Sequence, residues 1–156
     1  MAFVAAIPHN GAQLETPMPV HTARIELDTH GDAEVVDITG RLRASIAESG
    51  LSDGIACLFV PGSTGALTTI EFEPGCVSDL RSLFERVASR GLDYEHHRRW
   101  GDGNGHSHVR AALLGASLSV PFVDREPTLG TWQQVIFVDF DNKRRSRRLV
   151  VQLVGE

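Results

Sequence analysis

Hydrophobic and polar residues alternate between positions 21 and 27, so that Ala23, Ile25 and Leu27 fall on one side of the chain. Successive side chains of a strand point to opposite faces, and the pattern therefore predicts a half-buried strand. A turn is predicted at residues 30–32. Apolar or β-branched runs predict further strands at residues 34–36, 55–60, 66–73, 117–123, 131–140 and 147–154.

Two other segments have the spacing of helices. Ile38, Leu42 and Ile46 recur every four residues, and Gly50 then favours a helix end. Residues 74–91 place their apolar side chains on one face and their charged side chains on the other. Two helices among about seven strands joined by short loops predict an α+β domain with mostly antiparallel sheet.

The chain has 156 residues, of which 42% are hydrophobic, and this is enough for one domain with a real core. We place that domain at residues 21–156. Residues 1–20 contain three prolines and show no hydrophobic period, which predicts a mobile or loosely docked N-terminal arm.

A net charge of −5 argues against a nucleic-acid partner, which would require a basic face. Residues 143–148 are locally basic, and they form either a solvated turn or a contact to phosphate or carboxylate groups. Cys57 and Cys76 match no metal or redox motif, so we expect reduced thiols in a cytoplasmic protein. The chain contains no apolar run of membrane-spanning length, and we expect neither a membrane partner nor an anchor.

Four of the seven histidines lie between residues 96 and 108. Neutral imidazole is a common ligand of transition metals, and a catalytic zinc takes three protein ligands. In an extended backbone His106 and His108 point to the same side, and the glycines before them let the chain fold back towards His96. The sequence therefore predicts a divalent metal site, with zinc as the first choice, formed by His96, His106 and His108.

Two carboxylates accompany this histidine segment. Asp102 and Glu95 are candidates for orienting an imidazole N–H or for transferring a proton, and we select Asp102 as a catalytic candidate. The alternative is a loop whose histidines bond to the backbone and to one another without a metal.

The turn at residues 61–65 contains small residues and two hydroxyls, those of Ser63 and Thr64. Such a turn either binds an anion through its amides and hydroxyls or simply connects two strands. Glu71, in the strand predicted to follow, is a candidate base if it faces the pocket, and otherwise it faces solvent. Arg147 is a candidate for additional contact to a phosphate.

Thr131, Trp132 and Gln133 precede a strongly apolar strand. An indole face beside an amide that both donates and accepts suits recognition of a heteroaromatic ring. The alternative is that Trp132 anchors the core or a subunit interface. Trp100 lies inside the histidine segment and is expected to form a wall of the pocket.

Several of these motifs occur together in one known family. They are residues 59–71, Tyr94-x-His96, residues 102–108, residues 113–115 and residues 129–134. In this order they resemble the YjbQ-like family, also called the secondary thiamine-phosphate synthase family, from about residue 21 onward.

The resemblance implies a two-sheet β-sandwich of YjbQ type, assembled as a homotrimer, with His96, His106 and His108 in a pocket for a metal and an anion. It also implies an activity, the joining of hydroxymethylpyrimidine diphosphate to a thiazole phosphate with release of pyrophosphate. Two positions depart from the family pattern. Gly62 stands where many members have histidine, and His97 stands where aspartate is frequent.

Two functional hypotheses follow. The first is a metal-dependent enzyme acting on a small phosphorylated molecule, a thiamine-phosphate synthase-type transferase. In it Ser63, Thr64, Thr131, Trp132, Gln133 and Arg147 bind the substrate. The second is a trimeric metal- or metabolite-binding protein without robust catalysis, in which His97 or Asp102 completes a closed metal site.

Overall fold

The computed structural model of this chain describes residues 18–156, and within them eight strands form two antiparallel sheets. In chain order the strands are β1 (Val20–Thr29), β2 (Glu34–Asp37), β3 (Gly54–Phe59), β4 (Gly65–Ile70), β5 (Ser117–Val123), β6 (Glu126–Pro127), β7 (Gln134–Asp139) and β8 (Arg145–Gly155). The larger sheet has the order β1-β8-β3-β5-β6, and the smaller has the order β2-β7-β4.

Four helices accompany the sheets in the described part of the chain. They are α1 (Thr39–Ser49), α2 (Pro74–Val87), α3 (Glu95–Trp100) and α4 (Gly105–Leu114). The fold is therefore α+β with antiparallel sheets, which confirms the predicted class.

The main core lies between the two sheets and against α1. Phe137 of the smaller sheet, Leu149 of the larger sheet and Leu42 of α1 are all fully buried in the same cluster. Burying side chains of this size contributes about 1.5–3 kcal/mol each, so this cluster holds the two layers together.

A second core cluster packs α2 and α4 against the smaller sheet. Phe84 of α2 meets Phe140 edge to face with ring centroids 4.7 Å apart, and Ala111 of α4 joins them beside Val138. This cluster fixes α4 on the outside of the smaller sheet, where α4 carries two of the sequence-predicted histidines.

The alternating and apolar patterns located the strands well. The strand predicted at 117–123 has those bounds, whereas the one predicted at 66–73 already ends at Ile70. The strand predicted at 131–140 begins only at Gln134, and that predicted at 147–154 extends over residues 145–155. Residues 1–17 of the predicted arm lie outside the described residues, and β1 already begins at Val20.

The predicted helix around Leu42 is present, and Gly50 ends it with a left-handed φ of 75°. Asp37 accepts a hydrogen bond from the Thr39 amide at 2.8 Å just before the helix. The helix predicted at 74–91 already ends at Val87, and Ala88 takes the C-cap position in place of Gly91.

The argument that grouped His106 with His108 assumed an extended backbone, and the segment around the histidines is not extended. It forms the two short helices α3 and α4, joined by residues 101–104. Glycines at 101 and 103 adopt left-handed φ values of 66° and 63°, which reverse the chain between the helices.

Candidate metal centre

Three side chains from α3, α4 and the loop between them converge on one point. The ligand atoms of His96, Asp102 and His108 all lie within 4.8 Å of one another. His96 Nδ1 is 3.2 Å from Asp102 Oδ1, and the rings of His96 and His108 have centroids 4.4 Å apart. Two ligands of a tetrahedral zinc with bonds of about 2.0–2.1 Å are about 3.3–3.4 Å apart, so this spacing is compatible with a shared cation.

Hydrogen bonding within residues 18–156 leaves part of this group available. The Nδ1 atom of His96 is buried and makes no hydrogen bond there, although Asp102 Oδ1 lies 3.2 Å away. A buried ring nitrogen without a partner is costly, and a cation between the two side chains would remove that cost. The donor set therefore fits a metal.

The carboxylate of Asp102 is held in its charged form. The amide of Asn104 donates to Asp102 Oδ1 at 3.1 Å and lowers the pKa of Asp102, and the neighbouring His96 and His108 act in the same direction. An ionised carboxylate beside two imidazoles is a suitable ligand set for a divalent transition metal.

The structure does not bring His106 to this group. Positions 106 and 108 are two residues apart on α4, and a helix turns by about 200° over two residues, so the two rings leave opposite faces. His106 is 1% exposed, its ring faces Tyr94, and burial together with Arg110 and Arg90 lowers its pKa. The expectation that His106 and His108 point to the same side was wrong, because it assumed an extended backbone.

His97 also lies away from the converging group. Its ring packs against Tyr94 with centroids 5.2 Å apart, and its Nε2 has no hydrogen-bond partner among the described residues. As neighbours on α3, His96 and His97 diverge. His97 is not a member of the group formed by His96, Asp102 and His108.

The turn between β3 and β4 lies beside the candidate metal centre. Gly62 and Ser63 line the same surface depression as His108, and the volume of this depression is about 360 Å³. The rest of its wall consists of small residues, which are Gly65 at the start of β4 and residues of α4 and the chain after it, including Ala112 and Ala116. Ser63 is exposed, so its hydroxyl is available to a ligand.

Thr64 serves a structural purpose in the same turn. Its side chain is buried, and its hydroxyl donates to Asp141 Oδ2 at 2.9 Å and accepts from Arg147 at 2.9 Å. Thr64 therefore holds the turn in place, and direct contact of its hydroxyl with a ligand would require these bonds to break.

Arg147 belongs to a buried ion pair. Its guanidinium donates to both carboxylate oxygens of Asp139, at 2.7 and 2.6 Å, and its side chain is only 13% exposed. Burial raises the pKa of the adjacent Asp141, but hydrogen bonds from Arg145 and Thr64 outweigh this, and the net shift is downward. A Cβ added at Gly62 would lie 3.7 Å from Arg147 Nη1, so the guanidinium of Arg147 lies directly behind the turn.

The remaining sequence-predicted residues lie in exposed loops. Glu71 follows the end of β4 and faces solvent, which matches the alternative interpretation of that residue. Thr131, Trp132 and Gln133 precede β7, and Trp132 is 71% exposed, so it is not a core anchor of this chain. Gln133 donates to Thr69 at 2.9 Å, which ties its loop to β4.

Sequence reasoning missed Asn142, which contacts the loop that carries Asp102. Its side chain donates to the Asp102 carbonyl at 2.7 Å, and its backbone amide donates to Asn104 Oδ1 at 3.2 Å. The two asparagines are 38 residues apart, and no local pattern in the sequence marks such a contact.

Comparison with known proteins decides the family. The model of the UPF0047 protein YjbQ-like family matches residues 23–156. The chain belongs to the YjbQ-like family. This confirms the resemblance found in its motifs.

Among the relatives of known sequence is the UPF0047 protein of Methanothermobacter thermautotrophicus, which is 35% identical over 139 residues, or 89% of this chain and 95% of that protein. A UPF0047 protein of Mycobacterium tuberculosis is 35% identical over 128 residues, which are 80% of this chain and 92% of that protein. Their names give the family and no activity.

Solved structures agree with the fold. A YbjQ-like protein of unknown function from Sulfolobus solfataricus P2 superposes with a TM-score of 0.84 at 31% identity, covering 89% of this chain and 99% of that one. A protein from Aeropyrum pernix K1 gives a TM-score of 0.80 at 28% identity, with 87% and 99% covered. In the described part of this YjbQ-like chain, no helix is long and apolar enough to cross a membrane.

Proposed function

We propose that this YjbQ-like protein is a metal-dependent enzyme acting on small phosphorylated molecules, with the metal held by His96, Asp102 and His108. The observation that carries the proposal is the convergence of three ligand atoms of these side chains within 4.8 Å. Two imidazoles and a carboxylate form a recurrent ligand set for zinc and for non-haem iron(II). Zinc remains our first choice for its preference for nitrogen ligands in a site with three protein ligands.

An open coordination position favours catalysis over a structural role. Three protein ligands leave a tetrahedral zinc with one position for water or substrate, whereas structural zinc sites are closed by four protein ligands. His106 and His97, which would be needed to close the site, point away from the group in this conformation. When bound, the metal would supply positive charge to a phosphate or diphosphate leaving group.

The anionic part of the substrate would lie next to the metal. The depression shared by Gly62, Ser63 and His108 has a volume of about 360 Å³, which is within the range of small-molecule sites. The exposed hydroxyl of Ser63 and the amides of the turn would donate to phosphate oxygens, while Thr64 and Arg147 would hold the turn from behind.

The more specific activity implied by the family resemblance is thiamine-phosphate synthesis from the two phosphorylated precursors. Its support here is the pairing of a metal centre with an anion-binding turn. Asp102 would act as a ligand in this arrangement, and Glu71 does not line the depression that contains His108. A direct assay of thiamine phosphate formation, with and without added zinc, tests this reaction.

Metal content tests the proposal at its base. We expect purified protein to bind zinc at one equivalent per chain, and His108→Ala to lose most of it by elemental analysis. His30→Ala is the control, because His30 is exposed and outside the converging group. Unchanged zinc content in His108→Ala would overturn the assignment, and zinc binding without turnover of any phosphorylated substrate would favour the metal-binding protein instead.

A homotrimer, as the family resemblance implies, is the assembly we propose. The outer face of the larger sheet supports it, because Ile55, Phe59 and Val123 are each about half exposed there, at 51%, 46% and 52%. Apolar side chains grouped on one sheet face favour contact with another copy.

A further inference from the structure

The loop that carries Asp102 is the least supported part of the candidate metal centre. His96 and His108 are fixed by helices, whereas Asp102 lies between Gly101 and Gly103, which both have left-handed φ values. Glycine loses more conformational freedom on ordering than other residues, and the side chain of Asp102 is 44% exposed. A carboxylate in such a loop needs an external contact to hold one position.

Asn142 provides that contact from the turn between β7 and β8. Its side-chain Nδ2 donates to the Asp102 carbonyl at 2.7 Å, and its backbone amide donates to the side-chain Oδ1 of Asn104 at 3.2 Å. The backbone amide of Asn104 in turn donates to Asp102 Oδ1 at 3.1 Å. The three residues thus form a chain of hydrogen bonds that ends on the carboxylate itself.

Asn142 follows a residue that is buried in a hydrogen-bond network. The preceding residue, Asp141, is 1% exposed and accepts from Thr64 and Arg145 at 2.9 and 2.8 Å. Its amide also donates to Asp139 Oδ1 at 2.9 Å. Thr64 follows Ser63 in the chain, so the network around Asp141 supports both the loop that carries Asp102 and the proposed anion-binding turn.

We propose that Asn142 is a positioning residue, which fixes Asp102 at the distance from His96 and His108 that a divalent cation requires. This inference rests on the proposed role of Asp102 as a metal ligand. Removing a residue that holds a metal ligand by hydrogen bonds typically weakens metal affinity by about 10–100-fold. We expect Asn142→Ala to raise the Kd for zinc by about the same factor.

A zinc titration of four variants tests the role directly. Lys143→Ala is the matched control, because it truncates the next side chain of the same turn and removes only an exposed positive charge. Asp102→Ala sets the loss expected when the ligand is absent. In the double variant Asp102→Ala/Asn142→Ala, the second substitution should cause no further loss of zinc affinity, because a residue that acts only through Asp102 has no side chain left to position.

Hydrogen exchange of the metal-free protein gives a readout that needs no zinc. We expect the amides of residues 101–105 to exchange faster in Asn142→Ala than in the wild type, and to be unchanged in Lys143→Ala. The denaturation midpoints of all variants identify any global loss of folding, in which case exchange would accelerate across the whole chain.

These outcomes separate the two proposals. If the wild type binds no zinc, the proposed function fails, while the exchange experiment still tests whether Asn142 orders the loop. If the wild type binds zinc and Asn142→Ala binds it equally well, or if the losses add in the double variant, the positioning role is overturned.

Discussion

Arg110 shows how one charged side chain joins two helices behind the candidate metal centre. The residue lies on α4 and is 4% exposed, and its Nε donates to the Ala88 carbonyl at the end of α2 at 2.8 Å. Its terminal nitrogen donates to Glu85 of α2 at 2.5 Å. The bond to the Ala88 carbonyl and the half-exposed ion pair with Glu85 together join α4 to α2.

The Glu85–Arg110 pair makes stability depend on acidity. Hydrogen bonds from Ser89, Arg110 and the Arg90 amide lower the pKa of Glu85 from 4.5 to about 2. A lowered folded-state pKa stabilises the fold above pH 4.5, and this contribution is lost as the pH falls from 4.5 towards 2. Because Glu85 is about half exposed, solvent screening reduces the contribution to about 1 kcal/mol.

We therefore expect Glu85→Gln to lower the free energy of unfolding at pH 7 by about 1 kcal/mol and to flatten its decline below pH 4.5. Urea denaturation at a series of pH values measures both effects. Glu48→Gln, at an exposed position of α1, is the control and should leave the pH profile unchanged. A profile for Glu85→Gln as steep as that of the wild type would contradict the assignment.

Single residues of the site differed in how well the sequence predicted them. His96 and His108, two of the three predicted metal ligands, lie in the converging group, and Asp102, which was selected as a catalytic candidate, lies beside them. His106 was grouped with them by an extended-backbone argument that the helix invalidates. Asn142 was not identifiable, because its contacts to Asp102 and Asn104 arise only when β7 and α4 pack together.

Among the secondary-structure elements, α1 has one glycine in its first turn and another at its C-cap, and the two need different backbone conformations. Gly50 caps the helix in the left-handed region at φ 75°, where a side chain is strained, whereas Gly40 lies within the first turn of α1. An added Cβ at either position meets no atom of residues 18–156 within 4 Å, so backbone conformation distinguishes the two glycines.

We expect Gly50→Ala to destabilise the protein by about 1 kcal/mol, because a left-handed residue with a Cβ costs roughly that much. Gly40→Ala should stabilise it by about 0.5–1 kcal/mol, since alanine loses less backbone entropy in a helix. Thermal unfolding of the two variants checks the opposite signs. Equal shifts in the same direction would contradict the assigned conformations.

Strands and α1 follow from hydrophobic period, whereas α3 and α4 do not. Both helices are short, and their segment contains three glycines and several polar residues that have weak helix propensity. Tertiary contacts stabilise them instead. Gly105, the first residue of α4, packs so closely on Tyr94 that an added Cβ would be 2.5 Å from the tyrosine Cβ.

At the scale of the whole molecule, the outer face of the larger sheet is uncovered within the described residues. We expect light scattering to give a mass three times 17.0 kDa in solution. Ile55→Glu should shift the mass towards that of one chain, because burying an unpaired carboxylate between copies is unfavourable. Phe72→Glu is the control, since Phe72 is 41% exposed but lies in the loop after β4. Equal masses for wild type and Ile55→Glu would exclude this face as the interface.

The pairing of β8 with both β1 and β3 affects how the molecule is made. During synthesis β1 emerges before the other described strands, yet within residues 18–156 its ten residues pair only with a strand that is translated more than a hundred residues later. Closing so large a loop is entropically costly and slows folding. Until β8 leaves the ribosome, β1 and one edge of β3 lack their pairing partner, and such unpaired strand edges are prone to aggregation.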